Sequence, residues 1–214
     1  MISSTALLSQ RLRQHTLSHH DAVAHGDFLT RLTSGDLSRE AYTDWLSQLW
    51  YVYTALEETV CHAETGALLS CLADSRLQRT HALEADLVHL VGENWLETIV
   101  PRPATTVYVD RLFRIGNDEP AVIAHHYVRY LGDLTGGQRI SEQVARHYGV
   151  GEQGRNFSDF AALGCPQRYL ADYRALMDTL PMTARQTQEL LSEANQAFAC
   201  NAALFRQLGE DHPG

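Results

Sequence analysis

The chain has 214 residues, enough for one domain with a sizeable core, and carries 17 Lys and Arg against 26 Asp and Glu, a formal net charge of −9. That balance argues against a general nucleic-acid binder, and 44% hydrophobic with 20% charged residues is ordinary for a globular protein. No run of about 18 apolar residues occurs, and Met1-Ile2-Ser3-Ser4-Thr5 lacks a basic region followed by an apolar one, so neither a membrane span nor an anchor nor a signal peptide is expected.

Apolar spacing predicts helices throughout, an all-α chain. A first helix, about Ser4 to Ala24, carries Leu7, Leu8, Leu12, Leu17 and His20. A short helix around Phe28–Thr33 stops at Ser34-Gly35. Ser38 is the expected N-cap of a long helix running through Trp45, Leu49, Val52, Leu56 and Val60, with an aromatic stripe (Trp45, Trp50, Tyr51, Tyr53) expected in the core. Further helices are expected over about Leu77–Val91, ended by Gly92, and Thr105–Ile115, ended by Gly116-Asn117. Pro101 and Pro103 mark the loop between them. A long helix from about Pro120 to Tyr148 follows, then a loop over Gly151–Gly164, then helices around Gln167–Thr179 and Thr183–Leu208.

The long helix holds Tyr127-Val128-Arg129-Tyr130-Leu131-Gly132-Asp133-Leu134-Thr135-Gly136-Gly137-Gln138. Three glycines in six residues weaken a helix by roughly 2.5–3 kcal/mol relative to alanines. At about 100° per residue, Gly132, Gly136, Asp133 and Gly137 share one face, nearly bare except for a carboxylate. Such a face admits a large flat ligand against the backbone, or a neighbouring helix, or a kink, and spacing alone leaves these open.

Eleven histidines invite a metal reading. His62, His81, His89, His147 and His212 read as solvated singles, no Glu-x-x-His pair supports a di-iron bundle, and the carboxylates form no recognisable pairs. No nucleotide-binding or nucleophile-elbow motif occurs. Cys61, Cys71, Cys165 and Cys200 are scattered and read as reduced thiols of a cytoplasmic protein. Among His15, His19, His20 and His25 on or near the first helix, His20 is the candidate to face inward, although from the spacing alone a core or surface histidine is the safer reading. One imidazole opposite a bare glycine helix would clamp a planar iron porphyrin.

The segment His125-His-Tyr-Val-Arg-Tyr-Leu-Gly-Asp-Leu-Thr-Gly-Gly-Gln138 resembles the distal-helix signature of heme oxygenases. Tyr53-Thr-Ala-Leu-Glu-Glu58, Tyr173-Arg174, Ala197-Phe-Ala-Cys-Asn201 and Leu204-Phe205 resemble other family segments, in register from about Leu7 to Leu208. The resemblance implies one domain over residues 1–214 with an ordered core of about 5–209, and a helical bundle that clamps heme b. It implies cleavage at a meso carbon to biliverdin, carbon monoxide and ferrous iron, using O2 and electrons from a ferredoxin or flavoprotein reductase. A monomer is the default.

Carried over residue by residue, the resemblance makes His20 the axial iron ligand, with His15 and His19 as bystanders. Gly132 and Gly136 press on the distal heme face, and Asp133 holds an ordered water there, in a network with Tyr53 and Arg129. Arg13, Tyr127 and Arg174 match propionate-binding positions, while Phe198, Asn201 and Phe205 line the far wall. Two positions depart from the family. Ala24 stands where a glutamate often orients the axial imidazole, leaving Asp21, His25 or water to substitute. Leu170 stands where a lysine often helps bind propionate, leaving that task to Arg168 or Arg13. The competing expectations are a heme carrier or sensor with the same clamp, and a helical thiamin-salvage enzyme, which would need a cysteine nucleophile with an acidic partner.

Overall fold

The computed structural model describes residues 6–24, 26–63 and 66–213, apart from the side chains of Asp21, Ala22 and Ala24. Among these the secondary structure is helical and no strand occurs. The helices are α1 (Leu8–Ala24), α2 (Asp27–Ser34), α3 (Arg39–Ala63), α4 (Thr80–Val91), α5 (Trp95–Thr98), α6 (Pro103–Ile115), α7 (Glu119–His126), α8 (Gly132–Tyr148), α9 (Pro166–Thr179) and α10 (Ala184–Asp211). None is long and apolar enough to cross a membrane.

Local chemistry fixes the ends. Gly35, at φ 85°, closes α2 by donating its N–H to the Arg31 carbonyl, a left-handed turn that suits glycine. Ser38 Oγ accepts the Ala41 N–H at 3.3 Å at the start of α3, as expected of a cap. Thr183 and Gln186 exchange hydrogen bonds in a capping box that opens α10. Ser4 lies outside the described residues, and α1 begins at Leu8.

α3 and α10 form the frame. Leu46, Leu49, Val52 and Leu56 of α3 are buried, as are Leu190, Ala194, Ala197, Leu204 and Leu208 of α10. α7 packs against both, with Val122, Ile123 and Ala124 fully enclosed, and α1 lies along α10 and α9. In the aromatic stripe, Trp45 and Tyr53 are buried, whereas Trp50 and Tyr51 are only half-buried.

Several expectations are corrected. α4 starts at Thr80, not Leu77, because Leu77 belongs to a tight turn and the Glu57 carboxylate accepts the N–H groups of Arg79 and Thr80 (2.5 and 3.2 Å). The Gly151–Gly164 segment is a string of short 3₁₀ turns rather than a plain loop. Asp86 holds it by accepting the N–H groups of Asn156 and Phe157, which seats Phe157 in the core. Leu7 and Leu17 are about half exposed, off the buried face of α1. His212 is not a solvated single, since its Nε2 meets Asp44 Oδ2 at 2.9 Å. The long helix is also interrupted. Between α7 and α8, Tyr127–Leu131 winds as a π turn, which fits one extra residue into the helix and commonly marks a functional site.

Candidate active site

The π turn delivers Gly132 as the first residue of α8. Its backbone is ordinary right-handed helix (φ −59°, ψ −50°), so the local conformation does not require glycine. A methyl group built on Gly132 or Gly136 would meet nothing within 4 Å, while one on Gly137 would meet only Ser158 Oγ at 4.0 Å. No neighbouring helix fills the space beside Gly132 and Gly136, which leaves an open face at the backbone.

Beside this face stands a polar cluster assembled from three helices. Asp133 accepts a hydrogen bond from the Tyr53 hydroxyl of α3. Arg129, one turn earlier, approaches the same carboxylate at 3.4 Å, donates from Nη1 to Asn201 Oδ1 of α10 at 2.8 Å, and lies 5.0 Å over the Tyr53 ring. Burial pushes the Asp133 carboxyl well above the usual carboxylate range and lowers the Arg129 guanidinium. A carboxyl whose ionised form burial disfavours suits a group that must pass protons.

α1 carries His20. Its ring is exposed and meets Phe198 of α10 edge-on, with centroids 6.3 Å apart. Phe198 lies one turn before Asn201, so α10 links the His20 side to the Arg129 cluster. His15 Nε2 is instead 2.9 Å from the Asn195 side-chain amide, and His19 is exposed. Asp21 and His25, offered above for orienting His20, and Ala24, which stands in the glutamate's place, have side chains outside those described. No group of three or more His, Cys, Asp or Glu that could hold a bare metal ion occurs among the described residues. A lone imidazole suits an iron whose remaining ligands arrive with a macrocycle.

Arg13 and Arg174 come near Tyr127. Burial raises the half-buried Tyr127 phenol, while the nearby charges of Arg174 and Arg13 pull it down. Leu170 is buried, and Arg168 stays exposed, 3.9 Å from Asp172. Phe205 lies deeper than the rim, stacked on Phe28 at 6.1 Å and packed on Trp45.

Residues 6–207 match the family model for heme oxygenase. The chain belongs to the heme oxygenase family. It is 32% identical to the heme oxygenase of Porphyra purpurea over 97% of this chain and 88% of that one. It is 35% identical to heme oxygenase 1 of Rattus norvegicus over 94% of this chain and 71% of that one. The crystal structure of heme oxygenase-1 from Synechocystis sp. PCC6803 in complex with heme has a TM-score of 0.91 at 29% identity, covering 96% of this chain and 94% of that one. The protein is therefore a heme-binding enzyme of heme degradation, yielding biliverdin.

One constellation escaped the sequence reading. Glu193, buried on α10, accepts from His125 Nε2 at 2.8 Å and forms a bidentate pair with Arg111 of α6. A carboxylate has no proton to give, so Nε2 carries one and Nδ1 is left to accept from the Tyr108 hydroxyl at 3.4 Å. Burial acts to raise Glu193, but its bonds to His125 and Arg111 win and hold the carboxyl at about 2. His125 itself is lowered by burial despite that neighbour. The doublet His125-His126 was the only signal, and nothing in the spacing pointed to Glu193.

Proposed function

We propose that heme is held edge-in between His20 and the open backbone at Gly132 and Gly136. In this reading His20 is the axial iron ligand, Arg13, Tyr127 and Arg174 bind the propionates, and Phe198, Asn201 and Phe205 support the far wall. Bound heme supplies the iron that activates O2, and the ring carbon that is attacked.

The protein residues set the outcome. Gly132 and Gly136 remove every side chain that would keep the distal ligand away from the ring. Asp133 lies on the open face, held by Tyr53 and Arg129, where it orders a water and passes protons through it. No histidine stands among Asp133, Tyr53, Arg129 and Asn201, the groups that hydrogen-bond at this distal cluster. A globin-like hold by a distal imidazole is therefore not what this cluster offers. Carbon monoxide and ferrous iron are the other products in this reading, and the chain acts as a cytoplasmic monomer. Electrons come from a ferredoxin or a flavoprotein reductase docking at the rim of Arg13 and Arg174.

The observation that carries this reading is the empty space beside Gly132 and Gly136 with Asp133 placed next to it. A heme carrier or sensor would use the same clamp but has no need of a proton-passing carboxyl. A thiamin-salvage enzyme would need an activated cysteine. Cys61, Cys71 and Cys165 are exposed, and burial raises the Cys200 thiol instead of activating it. The test is to mix the heme-free protein with hemin, add ascorbate in air, and follow the Soret band. Its loss with growth of a broad band at longer wavelength supports turnover. A stable Soret band under competent reduction would favour the carrier, and no Soret shift would defeat both.

A further inference from the structure

Behind the distal cluster, aromatic rings run from the candidate heme face toward the opposite surface. Tyr53, which donates to Asp133, has its ring 5.5 Å from that of Tyr130. Tyr130 lies 4.6 Å from His126, and His126 is stacked on Tyr173 at 5.7 Å with the planes only 7° apart. The Tyr173 hydroxyl is 2.7 Å from His126 Nδ1. Tyr169, four residues earlier on α9 and near enough to act on the charge of Tyr173, donates to Asp74 Oδ2 at 3.0 Å, with Arg76 5.8 Å over its ring. Tyr169 is half-buried and reaches solvent, whereas Tyr53, His126, Tyr130 and Tyr173 are enclosed.

We propose that Tyr53, Tyr130, His126, Tyr173 and Tyr169 form a relay that carries stray oxidising equivalents away from the heme face to the surface at Asp74, with Tyr173–His126 as its redox-active pair. The proposal rests on the heme placement above. Hydrogen peroxide that escapes attack on the ring and is instead reduced at bound heme takes up two electrons and two protons as it becomes two waters. The relay supplies these electrons one at a time.

When an electron leaves Tyr173, the phenol becomes a far stronger acid. With the imidazole in its Nε2–H tautomer, the phenolic proton passes to His126 Nδ1 along the existing 2.7 Å bond. A neutral phenoxyl radical and an imidazolium result. Burial keeps His126 neutral beforehand, so the acceptor site is vacant. An electron then moves from Tyr169 to Tyr173, the proton returns from His126, and the Tyr169 proton goes to Asp74. A small reductant in solution, such as ascorbate or a thiol, gives a hydrogen atom to the Tyr169 phenoxyl and restores the phenol, and Asp74 releases the proton it took up to water before the next cycle.

The experiment uses the heme-loaded protein, with its Soret and axial-ligand spectrum recorded first. Hydrogen peroxide is added without ascorbate, samples are frozen, and the electron paramagnetic resonance spectrum is taken. In parallel, a nitroso spin trap is added to the unaltered protein and the adducts are located by mass spectrometry. The relay predicts a tyrosyl signal in the wild type, trap adducts on Tyr169 or Tyr173, and at least a fivefold loss of that signal in Tyr173→Phe with the Soret band unchanged. An absent tyrosyl signal, adducts confined to Tyr53, or an unaltered signal in a heme-loaded Tyr173→Phe protein would overturn it. Because the Soret and axial-ligand spectra are read in the same samples, failed heme seating is distinguished from a failed relay. The trap result on the unaltered protein stands even if the variant does not fold.

Discussion

The Tyr53 hydroxyl donates to Asp133 Oδ2 from 80 residues away in sequence, so a tyrosine in the middle of α3 sets the carboxyl next to the first distal glycine. Replacing Asp133 by Ala should leave hemin binding intact and cut biliverdin yield by about 10²-fold, the usual share of a positioned proton donor. Tyr53→Phe, which removes one hydrogen bond of about 1 kcal/mol, should cost only roughly fivefold. Yield is read by absorbance after acid extraction. Equal yields from wild type and Asp133→Ala would remove the carboxyl from the mechanism.

Gly132 and Gly136 are helical glycines with room for a methyl group. Gly132→Ala and Gly136→Ala should therefore each stabilise the heme-free protein, by up to about 1 kcal/mol from backbone entropy. The same methyl groups project onto the proposed heme face and should weaken hemin binding at least tenfold or change the meso carbon cut. Urea denaturation of the heme-free form and hemin titration separate the two effects. Tighter or unaltered hemin binding with unchanged regiochemistry would remove both glycines from the face.

His20 is exposed and contacts Phe198 edge-on, so His20→Ala should change the stability of the heme-free protein by less than about 1 kcal/mol. Its hemin complex should lose the parent's axial-ligand spectrum and regain it with added imidazole. A parent-like spectrum without imidazole would assign the ligand elsewhere.

Acid stability should follow the buried histidines. Burial lowers His126 from its ordinary 6.5 to about 3, and His125 moves the same way. Between those values the unfolded chain binds protons that the folded chain refuses, so stability falls as pH drops below about 6.5. The slope is up to about 1.4 kcal/mol per pH unit for each such group. Glu193 adds to the loss at lower pH. Its carboxyl is held at about 2 against 4.5 when unfolded, and the stability it contributes above 4.5 disappears as pH falls through 2. Urea midpoints between pH 7 and 5 should show this slope reduced in His126→Phe, and an identical slope would place the acid sensitivity elsewhere.

Glu193 joins α10 to α7 and α6 through His125 and Arg111. Glu193→Ala leaves both partners facing a vacated acceptor, one of them fully buried, and should destabilise the fold by about 3 kcal/mol. Chemical denaturation gives the answer, and a loss under about 1 kcal/mol would show that the network carries no weight.

The all-helical architecture, the stops at Gly35 and Gly92 and the cap at Ser38 were legible because they rest on local chemistry. The bare face was legible because Gly132, Asp133, Gly136 and Gly137 share one side of a helix. Arg129 was placed by resemblance, but its grip on Asn201 joins residues 72 apart, and no periodicity encodes that. Glu193 was missed for the same reason, since its partners are 68 and 82 residues away. Leu17 misled because an apolar side chain on a helix reads as core, whereas here it is exposed just before His20 on α1. The π turn had no signature, because an extra residue in a helix leaves composition and average spacing almost unchanged.

That surplus residue acts as a phase setter. The wide turn takes five residues to advance about as far as four do in regular winding. Were 127–131 to tighten to regular winding with all five residues kept, everything downstream would be turned by about 100° relative to α7. The bare stripe would point at a different neighbour, and Asp133 would leave the reach of Tyr53. A chain altered only so as to tighten that turn could fold as well as its parent and still be blind to its ligand.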